Sequence, residues 1–171
     1  RDSYYTLSGT DAVPNLEYIN NIKSAMNTII NFYMNNNFNM PPSDGYVVNN
    51  TTWVLDGGID IYCKDIEYYG YVQSENFANA TGDNPATTDV EINSATSYMV
   101  INNNFNGFPN TVIDNIKVTL AHEFFHMIQF GYDAYTQSWL FEATAVAMED
   151  LIYNDINDYH SYLPSFITTP E

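Results

Sequence analysis

The sequence predicts an α+β domain, on three observations. Strand-like runs rich in Val, Ile, Tyr and Trp cluster between residues 46 and 101. One amphipathic helical pattern precedes them, and two unbroken helical patterns follow. With 171 residues, 45% of them hydrophobic, the chain can bury one substantial core, so a single domain over 1–171 is expected. Its sheet-bearing lobe covers about 1–111, a helix pair about 112–154 and a tail 155–171.

Residues 1–13 read as an irregular lead-in. Pro14-Asn15 opens a helix expected to reach about Asn35, with Ile19, Ile22, Met26, Ile29, Ile30 and Tyr33 as a stripe that packs on a sheet. Pro41-Pro42 and Asp44-Gly45 mark a turn. Tyr46-Val47-Val48 and Trp53-Val54-Leu55 read as strands, and Gly58 to Cys63 alternates after the turn at Asp56-Gly57-Gly58. Tyr68 to Val72 is a short further strand, Asn76 to Ser94 a long surface loop, and Ser97 to Ile101 the last strand. A helix is then expected from about Ile113 to Phe130, with Gly131 as its stop. After a connector of about seven residues, a second helix runs from Ser138 to about Asn154. On that helix Leu140, Ala143, Thr144, Ala147 and Leu151 can bury, and Ala143, Ala145 and Ala147 allow close approach to the first. The tail, with Pro164 and Pro170, carries no clear element.

Charge narrows the partners. A net charge of −17 with only four Lys+Arg repels phosphate backbones and anionic lipids, so nucleic acid is not an expected partner. No run approaches the roughly 18 apolar residues of a membrane span, so no membrane insertion is expected. Cys63 is alone, which rules out an intrachain disulfide and reads as a small buried hydrophobe. The start at Arg1, without an apolar leader, suggests a trimmed form of an exported protein, secreted or at the cell surface. Asn49, Asn50 and Asn79 each open an N-x-[ST] triplet, which agrees with that setting.

The chemistry concentrates in His122-Glu123-Phe124-Phe125-His126. On a helix, residues four apart share a face, so both imidazoles can reach one metal ion with Glu123 beside it. Two of the chain's three histidines are spent here. A catalytic zinc site takes three protein ligands and keeps one position open. Glu142, in Trp139-Leu140-Phe141-Glu142, is the best third candidate, because a short connector lets its helix pack back antiparallel. His160, Asp133 and Glu149 are weaker alternatives, and Glu149 could instead orient a ligand histidine through its free ring nitrogen. The residue types imply hydrolysis in which Glu123 takes the proton of an activated water and passes it to a leaving amine. Tyr132, Tyr135, Tyr153 and His160 are candidate donors to the oxyanion.

The stretch His122-Glu123-Phe124-Phe125-His126-Met127-Ile128-Gln129, followed by Trp139-Leu140-Phe141-Glu142-Ala143-Thr144-Ala145, resembles the gluzincin metallopeptidases, in their secreted bacterial and archaeal members. The likeness is strongest over residues 97–150. It implies a zincin-like fold, in which a mixed β-sheet lobe with a backing helix precedes the H-E-x-x-H helix and the Glu-bearing ligand helix. It implies zinc bound by His122, His126 and Glu142, Glu123 as general base, and a peptide or protein substrate cleaved in endopeptidase fashion. The strand at Ser97 to Ile101 becomes the cleft-edge strand along which an extended substrate lies. Three departures stand out. The spacing from His126 to Glu142 is shorter than in the thermolysin-like branch. Val146 occupies the position where the thermolysin-like branch has an aspartate supporting a ligand histidine, and the C-terminal lobe is expected to be reduced or missing. Two other classes of function fit parts of the sequence. One is a surface or adhesive domain that keeps the protease fold without turnover. The other is a calcium- or carbohydrate-binding module, with structural calcium at acidic loops such as Asp56 to Asp60, Asp83 to Asp89 and Asn154 to Asp158.

Overall fold

A computed structural model describes residues 14–42, 47–48, 51–52, 59–77 and 93–161. The lead-in 1–13, the Asp44-Gly45 turn, the strand 53–55, the turn 56–58, most of the loop 76–94 and the tail beyond 161 lie outside these residues. So do Asp83 to Asp89 and the triplets opening at Asn49, Asn50 and Asn79, apart from Thr51 and Thr52.

The elements run α1 (Leu16–Asn35), β1 (Val47–Val48), β2 (Thr51–Thr52), β3 (Ile61–Lys64), β4 (Gly70–Phe77), β5 (Ala95–Asn102), α2 (Val112–Tyr132), α3 (Ser138–Ile152) and a 3₁₀ turn at Asp158–Ser161. This is the expected α+β order. β1 and β2 pair antiparallel, and the other three strands form a mixed sheet in the order β3-β5-β4. β5 runs parallel to β3 and antiparallel to β4. Met99, Val100 and Ile101 on β5 are wholly buried. A continuous apolar run of this kind marks a strand covered on both faces. β5 is therefore the middle of the sheet, and the expectation of Ser97 to Ile101 as a cleft edge is corrected. Among the described residues the edges are β3 and β4.

α2 is the hub, packed against α1, α3, β4 and β5. Thr111 caps it by accepting the Asp114 N–H at 3.2 Å, which satisfies one of the helix's orphan donors. Ile116, Leu120, Phe124, Met127 and Ile128 are its deepest residues, each contributing about 1.5–3 kcal/mol by burial. Gly131 does not stop the helix. It is buried and helical, α2 continues to Tyr132, and the Asp133 N–H closes the last turn on the Gln129 carbonyl at 2.8 Å. Packing overrides the glycine's preference for a turn.

α1 begins at Asn15, whose side chain accepts the Tyr18 N–H at 2.8 Å. Its buried face is Tyr18, Ile22, Ala25, Met26, Ile29 and Tyr33, rotated slightly from the expected stripe so that Ile19 and Ile30 are half-buried. It packs chiefly on α2 rather than on the sheet. Tyr33 decides that contact, with ring centroids 5.7 Å from Phe124 and 5.8 Å from Phe125.

α3 follows a five-residue connector and buries Phe141, Ala145 and Glu149, with Met148 and Ile152 partly covered. Leu140, Ala143, Ala147 and Leu151 are exposed, and Thr144 is half-buried. The expected inner face of this helix is thus its outer one. Phe141, Ala145, Met148 and Ile152 form an apolar stripe at helical spacing, and Glu149, which meets His122, lies beside it. No described helix is long and apolar enough to cross a membrane.

Candidate functional site

A cleft of about 690 Å³ opens where α2 and α3 meet the start of β4. His122, Glu123 and His126 line it from α2, Glu142, Val146 and Glu149 from α3, Tyr68 and Tyr69 from the bend before β4, and Gly70, Tyr71 and Val72 from β4 itself. The helical spacing places the two imidazoles one above the other, with Nε2 atoms 2.9 Å apart. Glu142 reaches both, its carboxylate oxygens 3.2 Å from His122 Nε2 and 3.5 Å from His126 Nε2. One ligand atom from each of the three lies within 4.8 Å of the others. Among the described residues no other set of three such groups converges this way.

Both outer ring nitrogens are engaged. His122 Nδ1 donates to Glu149 Oε1 at 2.6 Å, and His126 Nδ1 donates to Gln129 Oε1 at 2.7 Å. Neutral imidazoles held this way carry their lone pairs on Nε2. Two lone pairs and a carboxylate then face one point, an arrangement that a cation must relieve. The donor set, two nitrogens and one carboxylate oxygen, fits zinc in a site with an open position. The support expected from position 146 in the thermolysin-like branch comes instead from Glu149, at the next turn on the same face.

Without a metal, a proton does that work. Burial pulls His122 down, but its hydrogen bonds to Glu142 and Glu149 and the charge of Glu123 outweigh this and push it up to about 10. His126 is lowered by burial and then by the charge of His122. Glu142, at the solvent rim, is held low by its hydrogen bond to His122. Burial raises Glu149 against the pull of that same histidine. Glu123 is 6% exposed, and burial lifts its carboxyl to about 7, with His122 opposing and Glu142 and Glu149 adding. A carboxyl poised near neutrality beside a cation site is suited to carry a proton.

The chain matches no family model, no curated protein and no solved structure. The site therefore stands on its geometry alone.

The four candidate oxyanion donors are elsewhere. Tyr132 accepts the Asn39 N–H at 3.3 Å, and Tyr135 is 68% exposed. Tyr153 donates to the Ala25 carbonyl at 3.2 Å on α1, and His160 packs its ring on Tyr159 in the 3₁₀ turn. None of them lines the cleft, whose tyrosines are 68, 69 and 71. Asp133 bonds Asn93 and the Tyr135 N–H, away from the histidines.

Sequence reasoning missed three contributors. Gln129 was visible three residues after His126, on the same helix face. Gly70 was visible as a glycine inside a strand, which marks close backbone approach. A Cβ at Gly70 would lie 2.7 Å from the Val100 carbonyl oxygen, 2.8 Å from Thr119 Cγ2 and 3.3 Å from Glu123 Cγ. Asp158, named in the sequence only as part of an acidic loop, is buried in the 3₁₀ turn, lines the cleft and accepts from Asn110 and from the Tyr69 hydroxyl.

Proposed function

We propose that the protein is a zinc-dependent peptidase of zincin-like architecture, secreted or at the cell surface, that hydrolyses internal bonds of peptide or protein substrates. One observation carries the reading: two imidazole nitrogens with outer positions already spent face a shared carboxylate, with a buried carboxyl on the same helical turn. The resemblance of the two motifs to gluzincins agrees with it.

His122, His126 and Glu142 hold the ion. Bound zinc supplies Lewis acidity, which polarises a carbonyl and acidifies water. Glu123 accepts the proton of the attacking water and returns it to the leaving nitrogen, a task for which its buried place in the cleft beside both histidines suits it. Gly70 to Val72 border the cleft on a sheet edge, so β4 offers main-chain groups to an extended peptide in place of β5. Tyr68, Tyr69, Tyr71, Phe130 and Phe141 give apolar side chains a wall to rest on.

The test is zinc content after gentle purification together with cleavage of a quenched peptide library. Wild type is expected to carry zinc and cleave. Glu123→Gln is expected to keep its zinc and lose cleavage by at least about 10²–10⁴-fold. A zinc-loaded wild type without cleavage, or a Glu123→Gln variant as active as wild type, sinks the assignment.

A further inference from the structure

We infer that Gln129 is a positioning residue that sets the ring of His126 and pins the helix carrying Glu142, an inference that rests on the zinc reading. The logic starts from atoms with only one possible role. The Phe141 carbonyl can only accept, and it lies 3.2 Å from Gln129 Nε2. Thr144 Oγ1 gives its proton to the Leu140 carbonyl at 2.6 Å, so it too accepts from Gln129 Nε2, at 2.7 Å. Both amide hydrogens of Gln129 are thereby spent on α3. Its Oε1, an acceptor only, is left facing His126 Nδ1 at 2.7 Å.

Nδ1 must therefore bear the hydrogen. A neutral ring so protonated presents its lone pair at Nε2, the atom that faces Glu142 at 3.5 Å. A single amide thus selects the tautomer of the ligand three residues before it and ties α2 to the turn of α3 that presents another ligand. His122 receives the equivalent support from the Glu149 carboxylate. The two histidines are oriented by groups of different charge, one from each helix.

Three variants of the full chain separate the roles. Gln129→Leu removes both, Gln129→Glu keeps an acceptor for His126 while losing the donor to the Phe141 carbonyl, and Thr144→Val removes one anchor on α3 only. The readouts are zinc affinity by chelator competition, melting temperature, and imidazole ¹⁵N signals, which three histidines make simple to assign.

Wild type is expected to show His126 in the Nδ1–H form. Gln129→Leu is expected to move it toward the Nε2–H form and weaken zinc by about 10–100-fold. Gln129→Glu restores tautomer and zinc affinity but melts lower, and Thr144→Val melts lower with the tautomer intact. A wild type that binds zinc alongside a Gln129→Leu variant with unchanged tautomer and affinity overturns this inference and leaves the zinc reading standing. A wild type that binds no zinc overturns both. If Gln129→Leu does not fold, Gln129→Glu decides, and loss of the Nδ1–H form in that variant overturns the inference.

Discussion

α2 shields thirteen of its 21 residues, while α3 shields three of its fifteen and turns Trp139, Leu140 and Leu151 to solvent. The contrast extends to their ends. Thr111 caps α2, whereas Gln137 makes no side-chain cap for α3 and instead accepts from Trp139 Nε1 at 2.6 Å. A helix that is apolar all round is fixed by its surroundings, and one that is half outside is fixed by the few bonds it makes. The site thus joins a rigid platform, which carries both histidines and Glu123, to a lighter arm that carries Glu142 and Glu149. Gln129 and Glu149 bridge the two.

The comparison can be broken most sharply in the platform. Phe124→Ala removes a wholly buried ring between α1 and the sheet, and is expected to cost about 3–5 kcal/mol in chemical denaturation. A cost below about 1 kcal/mol would mean that α2 is not the fixed half.

Next comes the contact between platform and sheet. Gly70→Ala forces a methyl group against a backbone oxygen that cannot retreat, so a loss of about 1–3 kcal/mol is expected. Because the same methyl meets Glu123, peptide cleavage should fall more than zinc binding does. Equal loss of both would place the damage in the fold alone.

The pH dependence of the metal-free protein probes the bridge. Folding raises His122 from the ordinary 6.5 to about 10, so the proton-linked stability is whole below about pH 6.5 and disappears as pH rises through 10. Chelator-treated wild type should therefore lose melting temperature between pH 7 and 10 relative to His122→Gln. Parallel profiles for the two would remove the assignment.

The smallest effect belongs to the arm. Leu151, 61% exposed, should tolerate alanine within about 0.5 kcal/mol, and a larger cost would show that α3 is held by more than its inner face.

Helix positions and the α+β order were legible because 3.6-residue periodicity survives in α1 and α2, and Pro14-Asn15 marks the start of the first. The sheet was less so. β4 was read as ending at Val72, because Gln73, Ser74 and Glu75 carry the polarity of a strand at an edge. β5 carried the opposite sign, the unbroken Met99-Val100-Ile101, and that run identifies a central strand when weighed before any family likeness. In the site, His122, His126 and Glu142 were readable because spacing on one helix and a short connector constrain them. The oxyanion candidates rest on proximity in sequence, which carries no information about direction, and the tyrosines that line the cleft come from the start of β4 and the bend before it, more than fifty residues upstream of His122. The inner face of α3 is hard to read because Leu140, Ala143, Ala147 and Leu151 offer a second apolar stripe, and Phe141, Ala145, Met148 and Ile152 are the one that packs on the core.

Glu142 keeps 64% of its side chain in water while His122 and His126 keep 17% and 11%. The carboxylate is thus the outermost member of the trio, and the two imidazoles lie deeper in the cleft. On the zinc reading proposed above, this side chain can turn away by rotation about its own bonds, whereas either histidine would have to move with the buried helix that carries it.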